Sequence, residues 1–279
     1  MAFFPPPPGY VSSVSKRRCS AAASPAFERA REPSSNRRAL RVPFSMASRS
    51  MLVLGATGRA GLLTVQRALA EGWSVCAFVR NPARLPDDVR VRVTVHEGNL
   101  NSAASVSAAV KAFRPNAVVD ASSALPIGQP KGTQANDADR GTVLKAVVST
   151  LEEDGRLSDC LLLIVGGQLV AEPGGTINSW SIAALACVLR LALGKKWREM
   201  QASLDWLWEG APPALRFVYC RMGYMVEKPT QGTLEAQTTK DNIQRGEVAY
   251  TDVADALVAL AGDEKRTWDR RAVFFNYKS

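Results

Sequence analysis

A chain of 279 residues with 46% hydrophobic and 22% charged content has the makeup of a globular protein, either one large α/β domain or two small ones. Its net charge of +9 suggests a polyanion partner until the charge is located. Residues 1–48 hold eight basic and two acidic residues, which leaves 27 against 24 elsewhere, a net of +3, so a basic body for nucleic-acid binding is excluded.

The first 48 residues read as a leader. They open Met1-Ala2-Phe3-Phe4, run through Pro5 to Pro8, and continue rich in Ser, Ala and Arg with almost no acids. No strand or helix period is present, and the Pro and Ser content argues against a packed core. Such an N-terminus is expected to be a disordered organelle transit peptide, with the plastid stroma preferred over the mitochondrion. A tail without an address is the bland alternative. Met46 offers a second start that would give a cytosolic form.

From Met51 onward, apolar runs of strand length alternate with amphipathic runs of helix length. Met51–Leu54 is an all-apolar strand of the kind covered on both faces. A glycine-rich turn follows, then a helix over 62–71 stopped by Gly72. Ser74–Val79 is the second strand, ended by Asn81-Pro82, and Val91–Val95 the third. Asn101 or Ser102 caps a helix to about Phe113, and Ala117–Asp120 is the fourth strand. A long helix is expected over 137–152, a fifth strand over 160–165, and a helical region over 178–208 with Leu185, Leu189 and Leu193 at spacing four. Arg216–Cys220 is the sixth strand, Thr251 caps a helix through Leu260, and Ala272–Tyr277 is the last strand. This order predicts an α/β fold, a doubly wound parallel sheet of Rossmann type in a single domain over 49–279. The looser alternation of the last third predicts a small C-terminal lobe on the substrate side.

Five scattered cysteines, Cys19, Cys76, Cys160, Cys187 and Cys220, lack any C-x-x-C spacing, which excludes a zinc ribbon and argues against a disulfide framework. Cys76, Cys160 and Cys220 lie in or beside strand-like runs, where Cys acts as a small buried hydrophobe. The longest apolar stretch, Ile182–Leu193, is interrupted by Arg190 and too short for a transmembrane span.

Gly55-Ala56-Thr57-Gly58-Arg59-Ala60-Gly61 joins the first strand to the first helix, the context that gives a glycine motif its meaning. Gly55 permits a tight turn, Gly58 lets the backbone approach a pyrophosphate, and Gly61 lets the helix pack on the strand. The N–H groups and positive end of that helix stabilise the phosphate charge. A ligand-free glycine turn is the bland alternative. The second strand ends Phe78-Val79-Arg80-Asn81 without the Asp or Glu that accepts from an NAD ribose hydroxyl. Arg80 can fork onto a 2′-phosphate, with Arg59 and more weakly Arg84 to help, so NADP(H) is the expected cofactor.

These residues, with Val79-Arg80-Asn81-Pro82-Ala83-Arg84-Leu85-Pro86, resemble the atypical short-chain dehydrogenases of the NmrA-like and biliverdin/flavin-reductase type. Glu97-Gly98-Asn99-Leu100, Asp120-Ala121-Ser122-Ser123, Gly141–Ala146, Val165-Gly166-Gly167 and Tyr250–Leu257 continue the resemblance over about residues 50–277. It implies that Asn99, in place of the usual Asp, faces the adenine edge. It further implies that Ala121 and Ser122 pass the nicotinamide ribose and that Gly166, Gly167 and Gln168 lie beside the nicotinamide. Arg221-Met222-Gly223-Tyr224 stands where such proteins often have Arg-Pro-Gly covering the ring, and Met222 replaces the proline.

Tyr224-Met225-Val226-Glu227-Lys228 has the Tyr-x-x-x-Lys spacing of ordinary short-chain dehydrogenases, but it follows the sixth strand and precedes Pro229, where no helix is expected. The helix after the fifth strand carries Trp197-Arg198-Glu199-Met200-Gln201 with no tyrosine, so the usual general acid is missing. His96 is the only histidine, at a strand end, which excludes a histidine triad or a multi-histidine metal site. Trp197, Trp206 and Trp208 are expected to pack in the core or lobe. The expected chemistry is hydride transfer from NADPH to a small-molecule acceptor that needs little acid catalysis, such as a flavin, quinone or tetrapyrrole. Ser122, Ser123, Gln168 and Tyr224 are the candidates for acceptor orientation or proton donation. The alternative is a non-catalytic NADP-binding sensor or assembly subunit, docked through Ile182–Leu193 to a protein partner.

Overall fold

A computed structural model describes residues 49–122, 139–167, 180–238 and 247–278. The leader, Met46, Ser123 and Gln168 lie outside the described residues, as does the expected helix start at Asp137.

Strands β1 (Ser50–Leu54), β2 (Ser74–Val79), β3 (Thr94–Glu97), β4 (Ala117–Asp120), β5 (Leu161–Gly167), β6 (Arg216–Met222), β8 (Leu234–Gln237) and β10 (Arg271–Tyr277) form one sheet in the order β3-β2-β1-β4-β5-β6-β10-β8. All neighbours are parallel except β8, which runs antiparallel to β10 at the edge. The chain winds outward from β1 to β3, then returns to place β4 on the other side of β1. That reversal opens a crevice beyond the C-terminal ends of β1 and β4, where ligands of open α/β sheets bind.

Side-chain alternation feeds two cores. Leu52, Leu54, Cys76, Phe78, Val118, Leu162 and Ile164 point to one face, while Met51, Val53, Val75, Ala77, Val119 and Leu163 point to the other. Helices α1 (Arg59–Ala70) and α7 (Tyr250–Ala261) pack together over the second face. Helices α3 (Ala103–Phe113), α4 (Arg140–Glu153) and α6 (Lys195–Asp205) pack in sequence over the first. The doubly wound parallel sheet expected from the alternation is thus the observed architecture, within one unit, Met46–Ser279. Central strands covered on both sides must be apolar throughout, which is why β1 and β4 show no period of two.

Departures from the expected elements have local causes. The third strand begins at Thr94, not Val91, because Leu85 and Val89 are buried and pin the short helix α2 (Asp87–Arg90), leaving Val91 81% exposed. Thr251 does not cap α7. The chain passes directly from the short strand β9 (Glu247–Ala249) into that helix, Ala249 occupies the cap position, and the Thr251 hydroxyl meets Thr230 at 3.3 Å. Ser102 rather than Asn101 caps α3, accepting from the Ser105 N–H at 3.2 Å. Gly194 (φ +46°) divides the long helical region into α5 (Trp180–Leu193) and α6, and a π-helical turn over Trp206–Gly210 follows. Outside the main sheet, β9 and the three-residue strand β7 (Tyr224–Val226) pair in parallel as a two-stranded sheet.

Cys76, Cys160 and Cys220 are buried in the two cores, as expected of small hydrophobes, and Cys187 is exposed on α5. Burial pushes the Cys76 and Cys160 thiols up to about 12 and raises Cys220 too, so none of them forms thiolate near neutral pH. Maleimide labelling of the native protein is expected to modify Cys187 and spare Cys76, Cys160 and Cys220. Mass mapping of the labelled peptides checks this, and full labelling only after denaturation is the expected pattern.

Candidate dinucleotide site

Gly55 leaves β1 with φ +78°, and the Gly58 N–H closes the turn onto the Gly55 carbonyl at 2.9 Å. A Cβ on Gly55 would stand 3.0 Å from the Ser122 nitrogen and 3.1 Å from the Ala121 carbonyl carbon, so the turn rests directly on the β4 end. A Cβ on Gly61 would lie 2.2 Å from the Gly55 oxygen, inside any allowed contact. The glycines are therefore required by backbone packing, and Gly58, exposed at the tip, leaves the approach to α1 open. The N-cap residue Gly58 has no side chain with which to cap α1, and a helix N-terminus of this kind stabilises an anion. Thr57 is half-buried beside them and Ala60 is buried. This cradle fits the pyrophosphate of a dinucleotide.

Leu54 of β1 is in register with Phe78 of β2, so Arg80 emerges beside the glycine turn on the same edge. Arg80 is exposed and makes no ion pair or side-chain hydrogen bond among the described residues. The end of β2 carries no carboxylate, although the neighbouring strand contributes Glu97 in register with Val79. Arg59 turns the other way. Its guanidinium pairs with Glu227 at 3.4 Å and stacks over the Tyr250 ring at 5.1 Å. Burial raises the Tyr250 phenol, while Arg59 opposes that shift. Arg84 is exposed, and Asn81 caps its turn by accepting from the Ala83 N–H at 2.9 Å.

Along the edge, the exposed Asn99 accepts from the Asn101 N–H at 2.9 Å, and His96 stacks on Phe78 with centroids 5.5 Å apart. The Ala121 N–H donates to the Leu54 carbonyl at 3.1 Å, tying β4 to β1. Ser122 is buried, and its hydroxyl donates to Asp120. Asp120 also accepts from the Ser122 N–H at 3.0 Å and pairs with the Arg140 Nε at 3.0 Å. Gly166 is overlain by Tyr219, whose hydroxyl would be 2.0 Å from a Cβ there, and Gly167 faces open space. Burial raises the Tyr219 phenol against the opposing charges of Arg140 and Arg221. Arg221 is itself buried, with its guanidinium 4.7 Å from the Phe274 ring centroid.

Tyr224 lies on β7, 60% exposed, and Lys228 follows in a loop paired with Glu247, so the Tyr-x-x-x-Lys spacing falls on no helix. Trp197 is buried in the core, with Trp206 and Trp208 packed against it, as expected. Among the described residues no cluster of His, Cys, Asp or Glu is arranged to hold a metal, and no helix is long and apolar enough to cross a membrane. Sequence reasoning did not single out Arg140, Glu227 or Tyr250 as individual site residues. Arg140 left a trace, since it precedes Leu144, Val147 and Leu151 on the buried stripe of α4.

A family described as NAD(P)H-binding matches residues 55–264, three quarters of the chain. The chain belongs to this family. Within it, the fold is that of the atypical short-chain dehydrogenases of NmrA-like type. ChuY, an anaerobilin reductase from Escherichia coli O157:H7, superposes with a TM-score of 0.59 at 20% identity, covering 81% of this chain and 96% of its own. A wide-type short-chain dehydrogenase/reductase from Veillonella parvula, solved in complex with NADP, gives 0.61 at 16% identity, covering 83% and 95%. A Rossmann-fold NAD(P)-binding family protein from Shigella flexneri gives 0.57 at 12%, covering 83% and 95%. No curated protein matches the chain.

Gly61→Ala is expected to force α1 off the turn, lowering stability by about 1–3 kcal/mol and abolishing dinucleotide binding. Thermal unfolding and a cofactor titration of the same preparation check both effects.

Proposed function

We propose that this chain is an NADPH-dependent reductase that passes hydride to a conjugated, near-planar acceptor such as a flavin, quinone or tetrapyrrole. The observation that carries the cofactor half is Arg80, exposed and unpaired among the described residues beside the glycine turn. A guanidinium there holds a 2′-phosphate through charge-assisted hydrogen bonds. The glycine cradle and the α1 N-terminus hold the pyrophosphate, and the Ala121–Ser122 and Gly166–Gly167 ends flank the nicotinamide. The reduced nicotinamide supplies the hydride when bound. The acceptor half rests on the absence of any tyrosine from α5 and α6, which removes the usual general acid of carbonyl reduction. Acceptors that delocalise incoming charge need little acid catalysis from the protein.

Tyr224, exposed at the rim formed by Arg59, Glu227 and Tyr250, orients the acceptor in this reading. Ser123 and Gln168 remain candidates for the same task. The Ser122 hydroxyl, donated to Asp120, orders the β4 end. Val188 and Leu191, 60% and 79% exposed on α5, favour a second reading in which the chain is an NADP-sensing or assembly subunit. Residues 1–48 act as a plastid import leader in both readings. Fusion of that segment to a fluorescent protein is expected to give plastid signal, and diffuse cytosolic signal would overturn that assignment.

Equilibrium titration is expected to show NADPH preferred over NADH, with Arg80→Ala weakening NADPH by about 10–100-fold and leaving NADH unchanged. Equal affinity for the two in the wild type would remove NADP specificity. NADPH oxidation above the free-flavin background with one acceptor of the panel supports the reductase. Binding without turnover, together with a partner recovered from organelle extract and lost in Leu191→Glu, supports the second reading.

A further inference from the structure

The strand ends that flank the nicotinamide half of the site are joined by one buried ion pair. Asp120 is the last residue of β4 and fully buried. One carboxylate oxygen accepts from the Ser122 N–H at 3.0 Å and from its hydroxyl. The other lies 3.0 Å from the Arg140 Nε, a contact by charge and not an aligned hydrogen bond. Arg140 opens α4 and is itself buried. Its Nη2 donates to the Ser122 carbonyl and, at 3.0 Å, to the Val165 carbonyl. Two side chains thus connect the β4 turn, the start of α4 and the end of β5.

Stability alone does not account for this pair. Removing two charges from water is costly, and apolar replacements of such pairs are often neutral or stabilising. The position of Arg140 adds a second penalty, because a cation at a helix N-terminus opposes the helix dipole. An apolar pair could not, however, satisfy the Ser122 N–H together with the Ser122 and Val165 carbonyls. Those backbone groups belong to the residues that pack on Gly55 on one side and precede Gly166 on the other.

We infer that Asp120 and Arg140 are positioning residues, which hold the β4 and β5 ends at the separation that the nicotinamide half of the dinucleotide requires. The inference rests on the dinucleotide reading above. The adenine half is bound by Arg80 and the glycine turn, which meets the held segment only where Gly55 packs on the main chain of Ala121 and Ser122. The nicotinamide half lies between the two strand ends that the pair joins, and it depends on the pair more strongly.

The test compares NADPH with 2′-phospho-ADP-ribose, which shares every group except the nicotinamide. Calorimetric Kd values and thermal unfolding are measured for the full chain and for the charge-free double variant Asp120→Asn/Arg140→Met. The double variant is expected to bind 2′-phospho-ADP-ribose within about threefold of wild type while losing about tenfold for NADPH. Arg140→Lys keeps the charge opposite Asp120 but lacks the second nitrogen that reaches both carbonyls. It is expected to show the same selective loss, and it serves if the double variant does not fold. A folded variant that weakens both ligands equally, or neither, overturns the positioning role, because a purely structural pair would move the unfolding temperature and not the ratio. Wild-type protein that binds neither ligand removes the dinucleotide reading, and the inference with it.

Discussion

Helix α1 can enter this fold at its observed angle only because Gly61 has no side chain. A methyl there would overlap the Gly55 carbonyl, and Gly55 in turn sits against the backbone of Ala121 and Ser122. Three pieces of main chain therefore meet without intervening side chains at the point where strand order reverses between β1 and β4. Close backbone packing brings the uncapped N–H groups of α1 to the same edge as the ends of β4 and β5. The candidate anion site is the outcome of that packing, because a helix start displaced by even one methyl group would aim its N–H groups elsewhere.

The rim of the site is assembled differently, from side chains that reach across elements distant in the chain. Arg59 at the start of α1 contacts Glu227 after β7 and Tyr250 at the start of α7. Asp252 anchors the same region: buried on α7, it accepts from the Gln231 N–H and the Tyr277 hydroxyl, both at 2.9 Å. The Tyr277 oxygen also accepts from the Ala249 N–H at 3.1 Å. One carboxylate and one phenol thereby join β9, β10, α7 and the segment before β8. Directional bonds take over here because strands of three and four residues bury too little apolar area to hold their own places.

The central strands were legible because burial on both faces demands unbroken apolar runs, as in Met51–Leu54 and Ala117–Val119. Ser74–Val79 and Ala117–Asp120 are the strands the composition predicts, residue for residue. The third strand was misplaced for a reason no periodicity contains: Val91 and Val93 have strand character, yet the burial of Leu85 and Val89 decides where the chain turns. Thr251 has the chemistry of a cap, but a cap requires a loop before the helix, and β9 runs straight into α7. Strands β7, β8 and β9 are too short to show a period, and their partners come from remote segments. Likewise Asp120 reads in the chain as the end of an apolar strand and the start of a family-like segment, and Arg140 as a charge on an amphipathic helix, with nothing to show that the two meet.

The amino-acid order by itself determined the doubly wound sheet, the glycine turn and the basic end of the second strand. Each depends on interactions between residues close in the chain: alternation, backbone freedom without Cβ, and a charge placed by strand length. Only the tertiary structure decided that Arg59 faces Glu227 and Tyr250 rather than Arg80, that Asp120 meets Arg140, and that Tyr219 lies over Gly166. Those contacts form between segments brought together by strand order and helix packing. Local propensity has no term for which side chain will be buried against which, so that information exists only once the layers have closed.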